Sequence, residues 1–305
     1  CKRGIIIMRN TIEKAQERLA KSARAQINSP DVANTNEENS KPEEREIPNR
    51  VETHDSQLTS SKPEFFIDIE RLQSKGMVSV SGDRTLINEE YREIKRKLIS
   101  NGFGPISKTL SNSNIVMVSS ARPSEGKTFT AVNLALSIAS EQDKTVLLVD
   151  ADVLKPNVLR TLGLEERPGL LEYLTGEVSS ISEVLYHTNI DKLKIIPSGK
   201  THRLSTELLA SHKMHDTVDE FANRYPDRVV IIDTPPIIGI TESAVLANFA
   251  GQAVVVVEEN KSGMNDIKEA VKRLNPEMAI GFVVNKSVNS ERESGSYYGY
   301  YSADD

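Results

Sequence analysis

The run Ile115-Val116-Met117-Val118-Ser119-Ser120-Ala121-Arg122-Pro123-Ser124-Glu125-Gly126-Lys127-Thr128 constrains this chain more than any other stretch. Its apolar, β-rich start predicts a buried strand and its middle a tight loop. Gly-Lys-Thr then opens a helix whose pattern runs over 129–140. This is the layout of a phosphate-binding loop. Backbone N–H groups at a helix N-terminus face an anion, and the helix dipole favours negative charge there. Lys127 is placed to reach β- and γ-phosphates, and the Thr128 hydroxyl to take a position on Mg²⁺. The nucleotide-binding candidates are therefore Ser124, Glu125, Gly126, Lys127, Thr128 and Phe129. Ala121 stands where the usual Gly-x4-Gly-Lys-Ser/Thr pattern has its first Gly.

Two further apolar runs end in carboxylates: Thr145-Val146-Leu147-Leu148-Val149-Asp150-Ala151-Asp152, and Arg228-Val229-Val230-Ile231-Ile232-Asp233-Thr234-Pro235-Pro236. Short, fully apolar runs suit strands buried on both faces, as in a parallel sheet covered by helices. Ligands of such sheets sit at the carboxyl ends of the strands, where Asp150, Asp152 and Asp233 fall. A single Asp after a strand reads as a helix cap or turn former. Three of them beside a phosphate loop read as a Mg²⁺-nucleotide site. Further strands are expected at 193–196, 253–257 and 279–284, and helices at 87–98, 206–225, 242–249 and 264–274. The alternation predicts an α/β fold, a doubly wound, mostly parallel sheet of the P-loop NTPase type.

Composition is uneven along the 305 residues. Residues 22–64 are rich in Asn, Ser, Glu, Pro and Lys and hold no Phe, Tyr or Trp. Such a segment cannot bury enough apolar surface to offset its ordering entropy. The expected division is an N-terminal extension at 1–26, a disordered linker at 27–86, a catalytic body at 87–290 and a tail at 291–305. The apolar island at 65–72 is expected to dock on the body. In the extension, Asn10 and Glu13 form a capping box after Met8. Ile12, Ala15, Leu19 and Ala23 then recur at helical spacing among Lys14, Arg18, Lys21 and Arg24, giving a short basic helix. The net charge of −6 leaves no footprint for nucleic acid. The one cysteine, Cys1, excludes a disulfide framework and a Cys-rich metal site, and a cytosolic compartment fits. No apolar run reaches the length of a membrane span. The tail packs four of the eight tyrosines, Tyr297, Tyr298, Tyr300 and Tyr301, into five positions among Gly and Ser. Substrate tyrosines on a flexible arm account for that clustering.

Together these motifs resemble the bacterial tyrosine kinases of capsule and exopolysaccharide clusters, over about 89–305. The short chain is similar to the exosortase-associated form, in which kinase and membrane activator are separate proteins. The resemblance implies a protein-tyrosine autokinase using ATP and Mg²⁺. Lys127 and Thr128 would hold the MgATP, Asp150 and Asp233 would organise the metal largely through water, and Asp152 would act as base toward the incoming tyrosine. Asn285 falls where related ATPases contact the adenine. The four tail tyrosines would be the phosphorylation sites, modified in trans. The family's Glu-x2-Arg-x2-Arg oligomerisation helix falls on Glu89, Arg92 and Lys95, with Lys replacing a planar bidentate donor. Leu154 stands where an Arg often follows the second Asp. Also implied are a ring-shaped homo-oligomer when unphosphorylated, a membrane polysaccharide co-polymerase (chain-length determinant protein) as activator, and a cognate tyrosine phosphatase. The kinase would sit at the inner face of the plasma membrane through its partner.

The chemistry agrees with that reading. Phosphoryl transfer needs positioning and charge neutralisation. A phenol titrating near 10 benefits from a carboxylate that accepts its proton. The rival class is the regulatory ATPases of the partition and septum-site (MinD/ParA-like) type, which phosphorylate nothing. Those carry a Lys five residues before the loop lysine, where this chain has Arg122 followed by Pro123 and Ser124.

Overall fold

The computed structural model describes residues 64–81 and 84–287. The expected N-terminal helix, the linker as far as residue 63 and the four tail tyrosines lie outside them. The strands are β1 (Glu64–Phe65), β2 (Ile115–Ser120), β3 (Thr145–Asp150), β4 (Tyr186–Thr188), β5 (Leu193–Ile196), β6 (Arg228–Asp233), β7 (Gln252–Glu258) and β8 (Ala279–Asn285). The helices are α1 (Ile69–Ser74), α2 (Leu86–Phe103), α3 (Lys127–Ala139), α4 (Val158–Leu162), α5 (Leu170–Thr175), α6 (Ser205–Leu209), α7 (His212–Asn223), α8 (Thr241–Ala247) and α9 (Met264–Lys272).

The strands form one sheet in the order β1-β4-β5-β3-β6-β2-β7-β8. Every neighbouring pair is parallel except β4 and β5. The expected doubly wound, mostly parallel sheet is thus present. Every residue of β2 and β6 is buried, as their unbroken aliphatic runs require. The phosphate-loop helix α3 is buried along nearly its whole length, with Ala131, Leu134, Ala135 and Ile138 shielded from solvent. Register aligns Asp150 with Asp233 at the ends of β3 and β6. The site is therefore fixed by the best-buried strands of the molecule. No helix among the described residues is long and apolar enough to cross a membrane.

Two of the differences from the sequence expectation bear on the packing around the site. The helix expected over 206–225 breaks at Ala210, because Ser211 caps a new helix, its hydroxyl accepting the Met214 N–H at 3.2 Å. The linker expected to reach residue 86 gives way over 64–81 to a packed arm. Phe65, Ile67, Leu72, Met77 and Val78 are all buried, and β1 adds to the sheet beside β4. Asn189 brackets Ile67, accepting its N–H at 2.8 Å and donating to its carbonyl at 3.0 Å. The Val78 N–H donates to Asn133 Oδ1 on α3 at 2.7 Å. Burial of these apolar side chains outweighs the polar composition around them.

Candidate functional site

The loop between β2 and α3 turns through two left-handed residues, Ser124 at φ 68° and Gly126 at φ 101°. Side chains from distant parts of the chain hold it there. Asn285, at the end of β8 and 3% exposed, donates its amide to the Glu125 carbonyl at 2.8 Å. Lys286 donates to the Ser124 carbonyl at 2.7 Å and pairs with Glu258 at 3.0 Å. The Glu125 carboxylate turns inward, accepting the Arg122 N–H at 2.7 Å and the Ser262 hydroxyl. Arg122 in turn grips Asp266 on α9 through two bonds of 2.6 and 2.9 Å. Asn285, expected toward an adenine, thus places its amide on the loop backbone. Ser262, Asp266 and Lys286 were not anticipated as loop braces; nothing local marks them.

At Gly126 a Cβ would fall 1.9 Å from the Asn285 amide nitrogen, and φ is unsuited to an L side chain. Gly126→Ala is therefore expected to add about 1–3 kcal/mol of backbone strain and push Asn285 off the loop. The predicted result is a nucleotide affinity weakened by about tenfold or more, read by titration with a fluorescent nucleotide alongside a thermal melt. Unchanged affinity would show that the Asn285 brace does not matter.

Lys127 pairs with Asp152, and Asp233 and Asp150 also act on it. Burial works against its charge, but attraction from Asp233, Asp152 and Asp150 prevails and its pKa is raised. Asp150 is largely committed to backbone. Its Oδ1 accepts the Asp152 N–H at 3.2 Å, and its Oδ2 accepts Asn157 and Val158 at 3.1 and 3.0 Å, capping α4. The plain helix-cap reading of such an Asp is thus realised beside its place in the site. Burial pushes its carboxyl up to about 6, against the pull of those N–H groups.

Asp233 is fully buried, and neither of its oxygens has a hydrogen-bond partner of ordinary geometry among the described residues. Burial pushes its pKa up to about 8, with Lys127 and the nearby Thr128 hydroxyl pulling the other way. An orphaned buried carboxylate is costly. Beside a threonine hydroxyl it forms an all-oxygen donor set that fits a hard divalent cation. Among the described residues no group of three or more His, Cys, Asp or Glu could hold a metal alone. A set of two protein oxygens, from Asp233 and Thr128, fits Mg²⁺, which keeps several waters and phosphate oxygens as ligands.

The raised Asp233 pKa carries a stability consequence. Unfolded, Asp titrates near 3.9, so between about pH 4 and 8 the folded apo protein holds protons that the unfolded chain has released. Stability must fall as pH rises through that window, at up to about 1.4 kcal/mol per pH unit for one proton. Asp233→Asn is expected to flatten this slope and stabilise the apo protein at pH 8. Urea melts at pH 5.5 and 8.5 test it; parallel slopes for the two proteins would place the proton elsewhere.

Of the other candidates, Phe129 packs against the core from the first turn of α3. Glu89 and Arg92 pair with each other on α2, whereas Lys95 is drawn inside. It is 5% exposed, donates to the Ser137 carbonyl at 2.9 Å and pairs with Glu141 at 2.6 Å. It does not share the outer face of Glu89 and Arg92. Leu154 is exposed.

Residues 113–280 match the family model described as an AAA domain. The tyrosine-protein kinase YwqD of Bacillus subtilis (strain 168) is 32% identical over 228 residues, covering 74% of this chain and 92% of that protein. The tyrosine-protein kinase ptk of Acinetobacter johnsonii is 30% identical over 186 residues, which is 60% of this chain but only 24% of ptk. Among solved structures, the chimerical protein CapA2B2 matches with a TM-score of 0.60 at 26% identity, over 72% of this chain and 99% of that one. The kinase domain of VpsO matches with a TM-score of 0.52 at 28% identity, over 66% and 97%. With the domain model matched over more than half its length and YwqD covered almost end to end, the chain belongs to the bacterial tyrosine-protein kinase family.

Proposed function

We propose that the chain is an ATP-dependent protein-tyrosine autokinase that phosphorylates Tyr297, Tyr298, Tyr300 and Tyr301 of a neighbouring copy. The observation that carries this reading is the division of labour among the three carboxylates. Asp233 is buried and unpartnered, fit for the metal, and Asp150 is committed to capping α4. Asp152 is left as the base: its Oδ1 accepts the Lys155 N–H at 3.0 Å, and its Oδ2 pairs with Lys127, which phosphates attract more strongly. The kinases this chain resembles by name, and the tyrosine cluster on its tail, support the same reading.

In the mechanism, N–H groups of the loop and Lys127 would bind the β- and γ-phosphates, and Thr128 and Asp233 are the residues that would hold Mg²⁺. When bound, the ion supplies charge neutralisation across the transferring phosphoryl group. Moving Lys127 onto the phosphates uncovers Asp152. The tyrosine oxygen then bonds to the γ-phosphorus as the bond to the bridging oxygen breaks, and the phenol proton passes to Asp152. Arg122 followed by Pro123 and Ser124 departs from the loop signature of the regulatory ATPases, which favours the kinase reading.

The wider reading follows the family. The kinase assembles as a ring through the Glu89–Arg92 face of α2 and dismantles it on phosphorylation. It is activated by a membrane polysaccharide co-polymerase that holds it at the inner membrane face, and reset by a tyrosine phosphatase, in the control of exopolysaccharide polymerisation and export. The first test is incubation with ATP labelled at the γ-phosphate. Label is expected on the protein and lost when the four tail tyrosines are changed to Phe. Free phosphate without labelled protein would favour the ATPase.

A further inference from the structure

Beyond Asp150, on the side of β3 away from the phosphate loop, lies a cavity of about 1040 Å³. It spreads over the carboxyl ends of β3 and β5, between the segments that follow them. The strand order runs β2, β6, β3, β5. The loop after β2 and Asp233 on β6 mark the phosphate-donor end, so the cavity begins where the donor end stops. Its size is that of a ligand pocket, typically about 300–1,000 Å³.

The lining tells what it accepts. Leu159, Pro168 and Pro197 give apolar walls. Ser198 is 1% exposed, and its hydroxyl has no hydrogen-bond partner among the described residues. The Glu172 carboxylate is already consumed by the Gly169 and Lys200 N–H groups, at 2.7 and 2.8 Å. At the rim, Arg167 holds its guanidinium 5.0 Å from the Phe65 ring and 5.5 Å from that of Tyr186, so aromatic stacking is already the local habit. Glu166 and Glu177 partly offset the lining cations Arg160, Arg167 and Lys200, which disfavours a free phosphate. Apolar walls, a guanidinium plane and one buried hydroxyl suit a phenol ring with its polar tip.

We propose that this cavity docks a tyrosine of the acceptor segment 297–301, delivered by a neighbouring copy, while an adjacent tyrosine of that segment meets Asp152. This deepens the kinase reading and rests on it. It also gives the clustering of four tyrosines a purpose, since one ring anchors while another reacts. The source is the neighbour because of the route. From β8 to β5 is five strand spacings, about 24 Å, and the stretch from Asn285 to Tyr297 reaches about 40 Å. The chain's own tail could span the gap only by crossing the loop and its nucleotide over β7, β2 and β6. A neighbour's tail enters from the β5 side.

The test uses the full chain with its four tail tyrosines changed to Ala, loaded with ADP and Mg²⁺, and a fluorescent peptide of residues 291–305. Thr201→Trp, at the exposed rim, should fill the mouth and raise the peptide Kd about tenfold or more. Ser198→Ala should raise it on the order of fivefold, one hydrogen bond's share, without lowering the melting temperature. With ATP in place of ADP, both should raise KM for the peptide and leave kcat and KM for ATP within about twofold. A Kd unmoved by Thr201→Trp, or a peptide with its tyrosines changed to Ala that binds equally well, overturns the proposal. Peptide that binds, responds to both variants and is never labelled from ATP would uphold the docking site and sink the kinase reading instead.

Discussion

Replacing Asp152 by Asn is expected to slow phosphoryl transfer by about 10²–10⁴-fold, the usual worth of a general base, while nucleotide affinity holds or tightens. The direction of the second effect comes from the ion pair. In the free protein Lys127 is engaged by Asp152, and phosphates must draw it away. Asn keeps the shape and can still accept the Lys155 N–H that Asp152 Oδ1 receives at 3.0 Å, but it holds no cation and takes no proton. Nucleotide then meets one competitor fewer for Lys127, whereas the tyrosine loses its acceptor. Equilibrium titration with a fluorescent ADP, beside initial rates of label transfer, separates the two. A collapse of nucleotide affinity would move Asp152 to the metal and leave the base unassigned.

The site's chemistry was legible where it rests on local pattern. β2, β3 and β6 are aliphatic runs ending at the residues that matter, and the loop motif fixes Lys127 and Thr128 by spacing alone. What escaped the sequence depends on distance along the chain. Asn285 reaches the loop across 160 positions, and α4 is too short to show a period, its start being set by Asp150 through space. Lys95 went astray for a geometric reason. Residues three apart drift by about 60° on a helix, so Glu89 and Lys95 stand about 120° apart. That drift carries Lys95 toward the face of Tyr91, Ile94 and Leu98, which is buried. The arm at 64–81 shows the converse. A few apolar residues in a polar stretch are enough to dock it, because β4 offers an edge and α3 offers Asn133.

The Lys127→Met chain is expected to lose transfer at its own site by about 10²–10³-fold or more, and yet to become labelled by a competent partner. The variant removes a cation, not core packing, from a site where its side chain is 12% exposed. Asp233 then loses the Lys127 attraction that opposes its burial, and it holds its proton more tightly. The folded variant keeps protons that its unfolded chain releases, so its stability falls as pH rises. The comparison belongs near pH 7, with a melt to confirm the fold. The partner is a chain with an intact site whose four tail tyrosines are changed to Phe, so neither chain can label itself. Label on the Lys127→Met chain means the phosphoryl group crossed between copies. Its absence, with wild type active, would mean each tail serves its own site and would remove the neighbour as the source of the docked tyrosine. Each phosphate gained adds about −1.5 to −2 charge, beside Asp304 and Asp305 on a chain already at −6. Repulsion of the product from a site walled by three carboxylates then favours release, and the size-exclusion profile of the mixture should shift toward smaller species as label accumulates.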